Sequence, residues 1–419
     1  MYRLGLVFVC LLGGGAARAA SPNPADLEAT PEVQVKARAL VRQLGSADFA
    51  EREEAAERLA KLGRFARPAL TAGATSHPDP EIRFRCNQLL PRAANLDRTA
   101  KLETFLADTK GEYEHNLPAW NRFRAAVGHE WDVLGYRIWT NRELDAAARK
   151  VFTDLVSTEA NRKLLMLADG SRVYLSDAVV WRRQELYDQR DARDEIARTD
   201  LLTLDDVTAL LFAESLVGSS YVSGRRTSAS SLLSGCGFYA AARKGDARAK
   251  VLRAVAGAWL DSRNEAREMY SGIGIATGLD LPEHACALAA RMLTTPAIAP
   301  AWRTRGVGHL SSYGSRKHVN LLDPALADTF VVYAIPRPAP VGEPEPVPYQ
   351  VQVRDVALGL ALHLTEQKPE DYGFVDLYGA GAGPEQRRPF SYARHYFPDG
   401  ATRTAALEKW AKWRKANPG

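Results

Sequence analysis

DFAEREEAAERLAKL (Asp48–Leu62) and DPEIRFRCNQLLPRA (Asp79–Ala93) align without a gap at an offset of 31 residues. Asp48, Arg52, Ala55, Leu59 and Leu62 fall opposite Asp79, Arg83, Cys86, Leu90 and Ala93. In each copy an acid stands just ahead of an apolar run at helical spacing, the position of a helix N-cap. Glu51, three residues after Asp48, predicts a capping box. Pro80 fits the first helical position, where its missing N–H would have no intrahelical acceptor. Ala55, Leu59 and Leu62 share one helix face, as do Ile82, Cys86, Leu89, Leu90 and Ala93. Arg52 and Arg83 sit one turn inside, within reach of an acid or a carbonyl at the preceding turn. A further helical stretch precedes each copy, Glu32–Leu44 and Phe65–Thr75, so the unit is helix, turn, helix. A two-helix unit cannot bury its stripe alone and must stack on a neighbour. Leu59 and Leu90 are therefore expected to be buried equivalents.

This pattern resembles the HEAT repeat, whose second helix carries an apolar-Arg-x-x-Ala-x-x-Leu core. VRDVALGLALHL (Val353–Leu364) resembles it again, with Arg354, Ala357, Leu360 and Leu364, and TRGVGHLSSYG does so more weakly through Arg305 and Gly308. Arg305 and Arg354 are 49 residues apart; removing the 13-residue insert PRPAPVGEPEPVP (Pro336–Pro348) leaves 36, an ordinary helical-repeat length. The insert reads as an extended loop between the two helices of one repeat. Its β-rich flanks, Thr329–Ile335 and Tyr349–Val353, predict a short hairpin at its base. Together with the N-terminus and the AALEKWAKW tail, these motifs resemble a class of exported bacterial HEAT-like proteins with no assigned activity. The resemblance implies an all-α fold, a HEAT-like α-α superhelix (α-solenoid), with at most a short β-hairpin near 329–353. The expected order is a signal peptide (1–19), N-terminal repeats (30–95), an irregular helical middle (96–245), a second helical array (246–366), and a C-terminal loop with a capping helix (367–419).

The signal reading rests on the first twenty residues. MYRLGLVFVCLLGGGAARAA has a positive start (Arg3), an apolar run from Leu4 to Leu12 and an A-x-A exit, Ala17-Arg18-Ala19. It is too short for a membrane span, and Val9 before Cys10 argues against a lipoprotein. Export to the periplasm or beyond is expected. Cleavage removes Arg3 and Arg18 and lowers the formal charge from +5 to +3, poor grounds for nucleic-acid binding. Cys86, Cys236 and Cys286 remain, an odd set without framework spacing, and read as small core residues.

In the middle, Asn141–Leu167 and Leu175–Ala197 read as long amphipathic helices, TLDDVTALLF opens with a capping box of Thr203 and Asp206, and Gly218–Ser231 reads as a polar loop. Beyond it, Ala247–Ser262, Glu265–Thr277, Pro282–Leu293, Ala299–Tyr313 and Lys317–Leu326 read as helices. Catalytic motifs are sparse. Cys236, in GCGFY, is a candidate nucleophile only if a histidine such as His284 or His309 serves as its base. His129-Glu130-Trp131-Asp132 begins like a zincin motif but lacks the second histidine, and His318 and His363 have no paired ligand spacing. Asp205-Asp206 is explained by the helix dipole. Trp410 and Trp413, among Lys409, Lys412, Arg414 and Lys415, fit either a closing helix or a membrane surface, the former preferred. The sequence thus favours a non-catalytic protein-protein interaction scaffold with no cofactor or metal, an unidentified protein partner, no nucleic acid and no integral membrane segment. The alternatives are a hydrolase with its site in the middle region or the 218–237 loop, and a structural envelope component.

Overall fold

The computed structural model describes residues 21–128, 142–195, 202–218, 230–337, 346–375 and 395–417. The signal segment, the His129–Asp132 motif, most of the Gly218–Ser231 loop and the centre of the proline-rich insert lie outside them. The described fold is all-α, with one two-stranded antiparallel sheet, and divides into two compact units, Met1–Asn116 and Leu117–Gly419.

In the N-terminal unit α1 (Pro31–Gln43) and α2 (Phe49–Leu62) are followed by α3 (Arg67–Ser76) and α4 (Pro80–Ala107), the expected pair of helical hairpins. The two turns are built alike. Asp48 Oδ1 accepts from Ala50 N at 2.8 Å and Asp79 Oδ1 from Glu81 N at 2.9 Å. Arg52 donates to Ser46 O at 2.7 Å and Ala47 O at 3.1 Å; Arg83 donates to His77 O at 2.7 Å and Pro78 O at 2.8 Å. The capping box expected from Glu51 is not formed in the standard way. Ser46 Oγ accepts from Asp48 N at 3.2 Å and donates to Glu51 at 2.5 Å, so the serine stands between the two arms. In the second copy His77 Nδ1 takes the N–H of Asp79, at 3.2 Å.

Ala55, Leu59, Cys86 and Ala93 are buried in one core with Leu40, Val41, Leu44 and Leu70. Gly73 is required here: a Cβ on it would lie 2.6 Å from Cys86 Sγ and 2.9 Å from Val41 Cγ1. Leu62, Leu89 and Leu90 are only partly buried, so Leu59 and Leu90 are not the equal partners the alignment predicts. The helix ends explain why the copies diverge. α2 stops at Gly63, which takes φ +58°, a conformation glycine adopts at no steric cost. The equivalent position 31 residues on is Ala94, and α4 runs on through Pro91 to Ala107. The boundary expected at 95–96 therefore falls within α4.

The C-terminal unit comprises α5 (Trp120–Val127), α6 (Arg142–Leu155), α7 (Glu159–Met166), α8 (Arg172–Glu195), α9 (Leu204–Val217), α10 (Ser230–Gly235), α11 (Phe238–Ala242), α12 (Ala247–Asp261), α13 (Ala266–Gly278), α14 (Pro282–Thr294), α15 (Pro300–Arg303) and α16 (Val307–Tyr313). β1 (Val331–Ile335), β2 (Tyr349–Gln352), α17 (Val353–Leu364) and α18 (Gly400–Ala416) complete it. Every residue of α9 from Asp206 to Glu214 is buried, which marks it as a core helix wrapped by α6, α7, α8 and α12. The expected hairpin is present, pairing Ile335 with Tyr349 and Val331 with Gln352, with a bulge near Val331.

Two expected helices are broken and a third changes type. Asn141–Leu167 divides at Thr158, which caps α7 by accepting from Asn161 N. Ala299–Tyr313 divides into α15 and α16 at Thr304–Gly306, where Gly306 approaches Ala289 so closely that a Cβ would sit 2.8 Å from its Cα. Lys317–Leu326 is a 3-10 helix, Arg316–Ala327, with Pro324 inside it removing a backbone donor.

Candidate binding cleft

The repeat residues do not line the cleft of the N-terminal unit; they hold up the elements that do. Beyond Ala94, the extra length of α4 forms the floor of an open cleft of about 790 Å³. Asp97 and Lys101 are on that floor. Arg64, Phe65, Arg67 and Thr71, at the start of the second hairpin, make one wall, and Asn23–Ala29 with Tyr113–Asn116 make the other. Asp97 pairs with Arg67 and, at 3.1 Å, with Lys101. Arg64 lies over the ring of Phe65 at 4.6 Å.

Asp108 fixes the second wall. It ends α4, is fully buried, and accepts from Glu112 N at 2.9 Å, Tyr113 N at 3.1 Å and His115 Nε2 at 2.9 Å. The Ser21 side chain bonds to it as well, which ties the start of the described chain to the same point. Burial alone would raise its pKa, but these hydrogen bonds outweigh burial and hold the carboxyl at about 2. His115 packs edge-on against Phe105 at 5.3 Å. The wall is thus preorganised, and a cleft of this size suits a short polypeptide segment or a small molecule. The walls come from positions scattered between Asn23 and Asn116, and no local motif marks them.

The sequence-derived residues of the C-terminal unit serve packing. Ala357 and Leu360 are buried in α17, and Leu364 borders a smaller polar hollow of about 470 Å³. Arg354 does not copy the turn contacts of Arg52 and Arg83; its Nε donates to Gln352 Oε1 at 2.6 Å. Arg305 lies over Trp302 at 4.0 Å. Trp410 is buried and stacks on Trp413 at 5.1 Å, with Arg316 over Trp413 at 5.6 Å, so both rings are engaged within the C-terminal unit.

Cys236 is in a poor place for a nucleophile. Burial pushes its thiol up to about 11, and its Sγ makes a long contact to Leu233 O at 3.7 Å. His284 is bound to Asp261 at 2.8 Å, and His309 stacks on Tyr313 at 4.6 Å. His318 bonds Glu283 at 3.1 Å and His363 bonds Ser311 O at 2.9 Å.

The sequence reading missed the charged lock around α9. Asp206 accepts from Thr203 and, at 2.5 Å, from Arg182, so it is a buried partner and more than a first-turn acid. Two turns on, Glu214 accepts from Arg183 Nε and from Trp259 Nε1, both at 2.7 Å. Arg263 donates to Glu214 O at 3.0 Å and faces Glu268 at 3.4 Å. The available signal was Glu214 inside the apolar run ALLFAESLV and the doublet Arg182-Arg183. No helix among the described residues is long and apolar enough to cross a membrane. In comparisons with known proteins, no family model, no curated protein and no solved structure matches this chain.

Proposed function

We propose that the chain is a non-catalytic protein-interaction scaffold of the HEAT-like α-solenoid kind, exported from the cytoplasm, whose N-terminal unit takes a segment of a partner protein in its cleft. The observation that carries this reading is the cleft itself: about 790 Å³, with its walls held by Asp108 and by the Arg67–Asp97–Lys101 group. Burial pushes the Cys236 thiol up to about 11, and one of its candidate bases, His284, is bound to Asp261 at 2.8 Å. Ser21, two residues past the expected cleavage point, belongs to the folded N-terminal unit through its bond to Asp108.

A photo-activatable residue at Thr71, inside the cleft, is compared with one at Arg58, on the exposed side of α2. The expected outcome is a defined adduct in the extracytoplasmic fraction from position 71 and none from 58. Equal labelling from both, or none, overturns the reading. Turnover of an ester, peptide or glycoside that Cys236→Ser abolishes would move the function to a hydrolase.

A further inference from the structure

α8 is divided lengthwise. Leu175, Val179, Leu186 and Tyr187 face the core, and Arg182 and Arg183 point inward to Asp206 and Glu214. The opposite face carries Val173, Tyr174, Val180 and Trp181, with Tyr174 67 % and Trp181 76 % exposed. Single exposed apolar residues are ordinary on a protein surface. Four at i, i+1, i+7 and i+8 are a stripe, running roughly 12 Å along one helix face at 1.5 Å per residue. Met166, at the end of α7, is also exposed. Tryptophan and tyrosine are the residues that anchor protein interfaces, because they bury large areas at small rotamer cost.

Charge selects the occupant. Arg182 and Arg183 are buried and Arg190 is paired with Asp191 at 2.6 Å, whereas Asp177, Glu185 and Asp188 lie on the exposed side. Arg172, at the helix start, donates to Val217 O at 2.8 Å. Glu185 accepts from Arg182 at 2.7 Å yet remains half exposed. Asp177 stands between the two aromatic turns. A second copy is disfavoured, since pairing α8 with itself about the centre of the stripe sets Asp177 against Asp177. An anionic lipid surface meets the same repulsion. A cationic, apolar helix satisfies both features.

We propose that the outward face of α8 docks an amphipathic helix of a partner protein, with apolar side chains over Tyr174 and Trp181 and lysines or arginines against Asp177, Glu185 and Asp188. This surface lies outside the cleft and shares with the proposed function only the premise that the chain binds protein.

The full chain is titrated with a synthetic amphipathic helix of leucine and lysine, and with its leucine–glutamate counterpart, by calorimetry. Saturable binding of the lysine peptide alone is expected, weakened roughly tenfold or more by Trp181→Ser and by Asp177→Lys, as loss of an interface anchor implies. Both positions are exposed, so the melting temperature should stay unchanged; should Trp181→Ser lower it, Asp177→Lys decides. Equal binding of both peptides, or binding indifferent to these substitutions, overturns the proposal. So does a concentration-dependent dimer, or adhesion to phosphatidylglycerol vesicles, that Trp181→Ser abolishes while the peptide fails to bind. Failure here with cleft labelling intact leaves the proposed function standing, and loss of cleft labelling with peptide binding intact overturns that function without touching the α8 surface.

Discussion

The two compact units differ in what their buried and half-buried arginines do. In the N-terminal unit Arg52 and Arg83 reach turn carbonyls, and the core between the hairpins is alanine, leucine, valine, isoleucine and cysteine. In the C-terminal unit Arg182, Arg183, Arg263 and Arg403 are buried against carboxylates that join one helix to another. Arg403 of α18, for example, meets Asp355 of α17 at 2.8 Å. Apolar stacking tolerates small sliding, whereas a buried ion pair is satisfied at one register only. The first design can be copied along a chain; the second makes each helix pair a separate solution.

The largest expected effect breaks a charged lock. Glu214→Ala leaves Arg183 and Arg263 buried without their shared partner and should cost about 3–5 kcal/mol. The matching change in the other unit, Arg52→Ala, removes hydrogen bonds at a half-exposed turn and should cost about 1 kcal/mol. All eight tryptophans lie beyond Asn116, so tryptophan emission during urea unfolding follows the C-terminal unit, and hydrogen exchange over residues 31–93 follows the other. Similar costs for the two substitutions would erase the contrast.

Next in size is the asymmetry between the two copies. Leu59→Ala should cost about 2–5 kcal/mol, as for a well-packed core leucine, and Leu90→Ala less than half as much because Leu90 keeps solvent contact. Equal losses in the exchange experiment would restore the symmetric repeat that the alignment alone suggests.

The third test, with a smaller leading effect than the other two, concerns Asp108, where the N-terminal unit does bury a carboxylate. Its folded pKa, about 2, lies below the ordinary 3.8, so its contribution is fully present above pH about 4 and is lost as pH falls through 2. Asp108→Asn should cost about 2 kcal/mol at neutral pH and flatten that part of the acid-unfolding profile. An unchanged acid profile in Asp108→Asn would show that the loop at 108–116 is not held through this charge.

What could be read from the sequence follows from the same contrast. The hairpins around Asp48 and Asp79 were legible because each copy repeats the same local duties: cap, turn arginine, small residue, leucine. The hairpin of β1 and β2 was legible because β-rich flanks border a proline-rich insert. The break at Gly306 was not, since its cause is Ala289, on another helix. Glu214 was conspicuous in an apolar run, but its partners Arg183, Trp259 and Arg263 are far apart in the chain. A third turn arginine, Arg162 behind the Thr158 cap, donates to Val156 O at 3.3 Å and was overlooked without a second copy beside it. The cleft left no trace because Phe65, Lys101 and His115 meet only after α4 has formed.

The pair Gly63 and Ala94 decides how much helix each hairpin carries. A tandem array grows when each copied unit ends where the next must begin, and glycine at the end of a helix is that punctuation. With alanine at 94 the punctuation is gone, and α4 extends to roughly 42 Å at 1.5 Å per residue. The extension forecloses another repeat in register and turns its surplus turns into the floor of a cleft. A single residue at a helix end thus marks whether a segment is spent on closing a hairpin, as at Gly63, or on the base of an open cleft, as beyond Ala94.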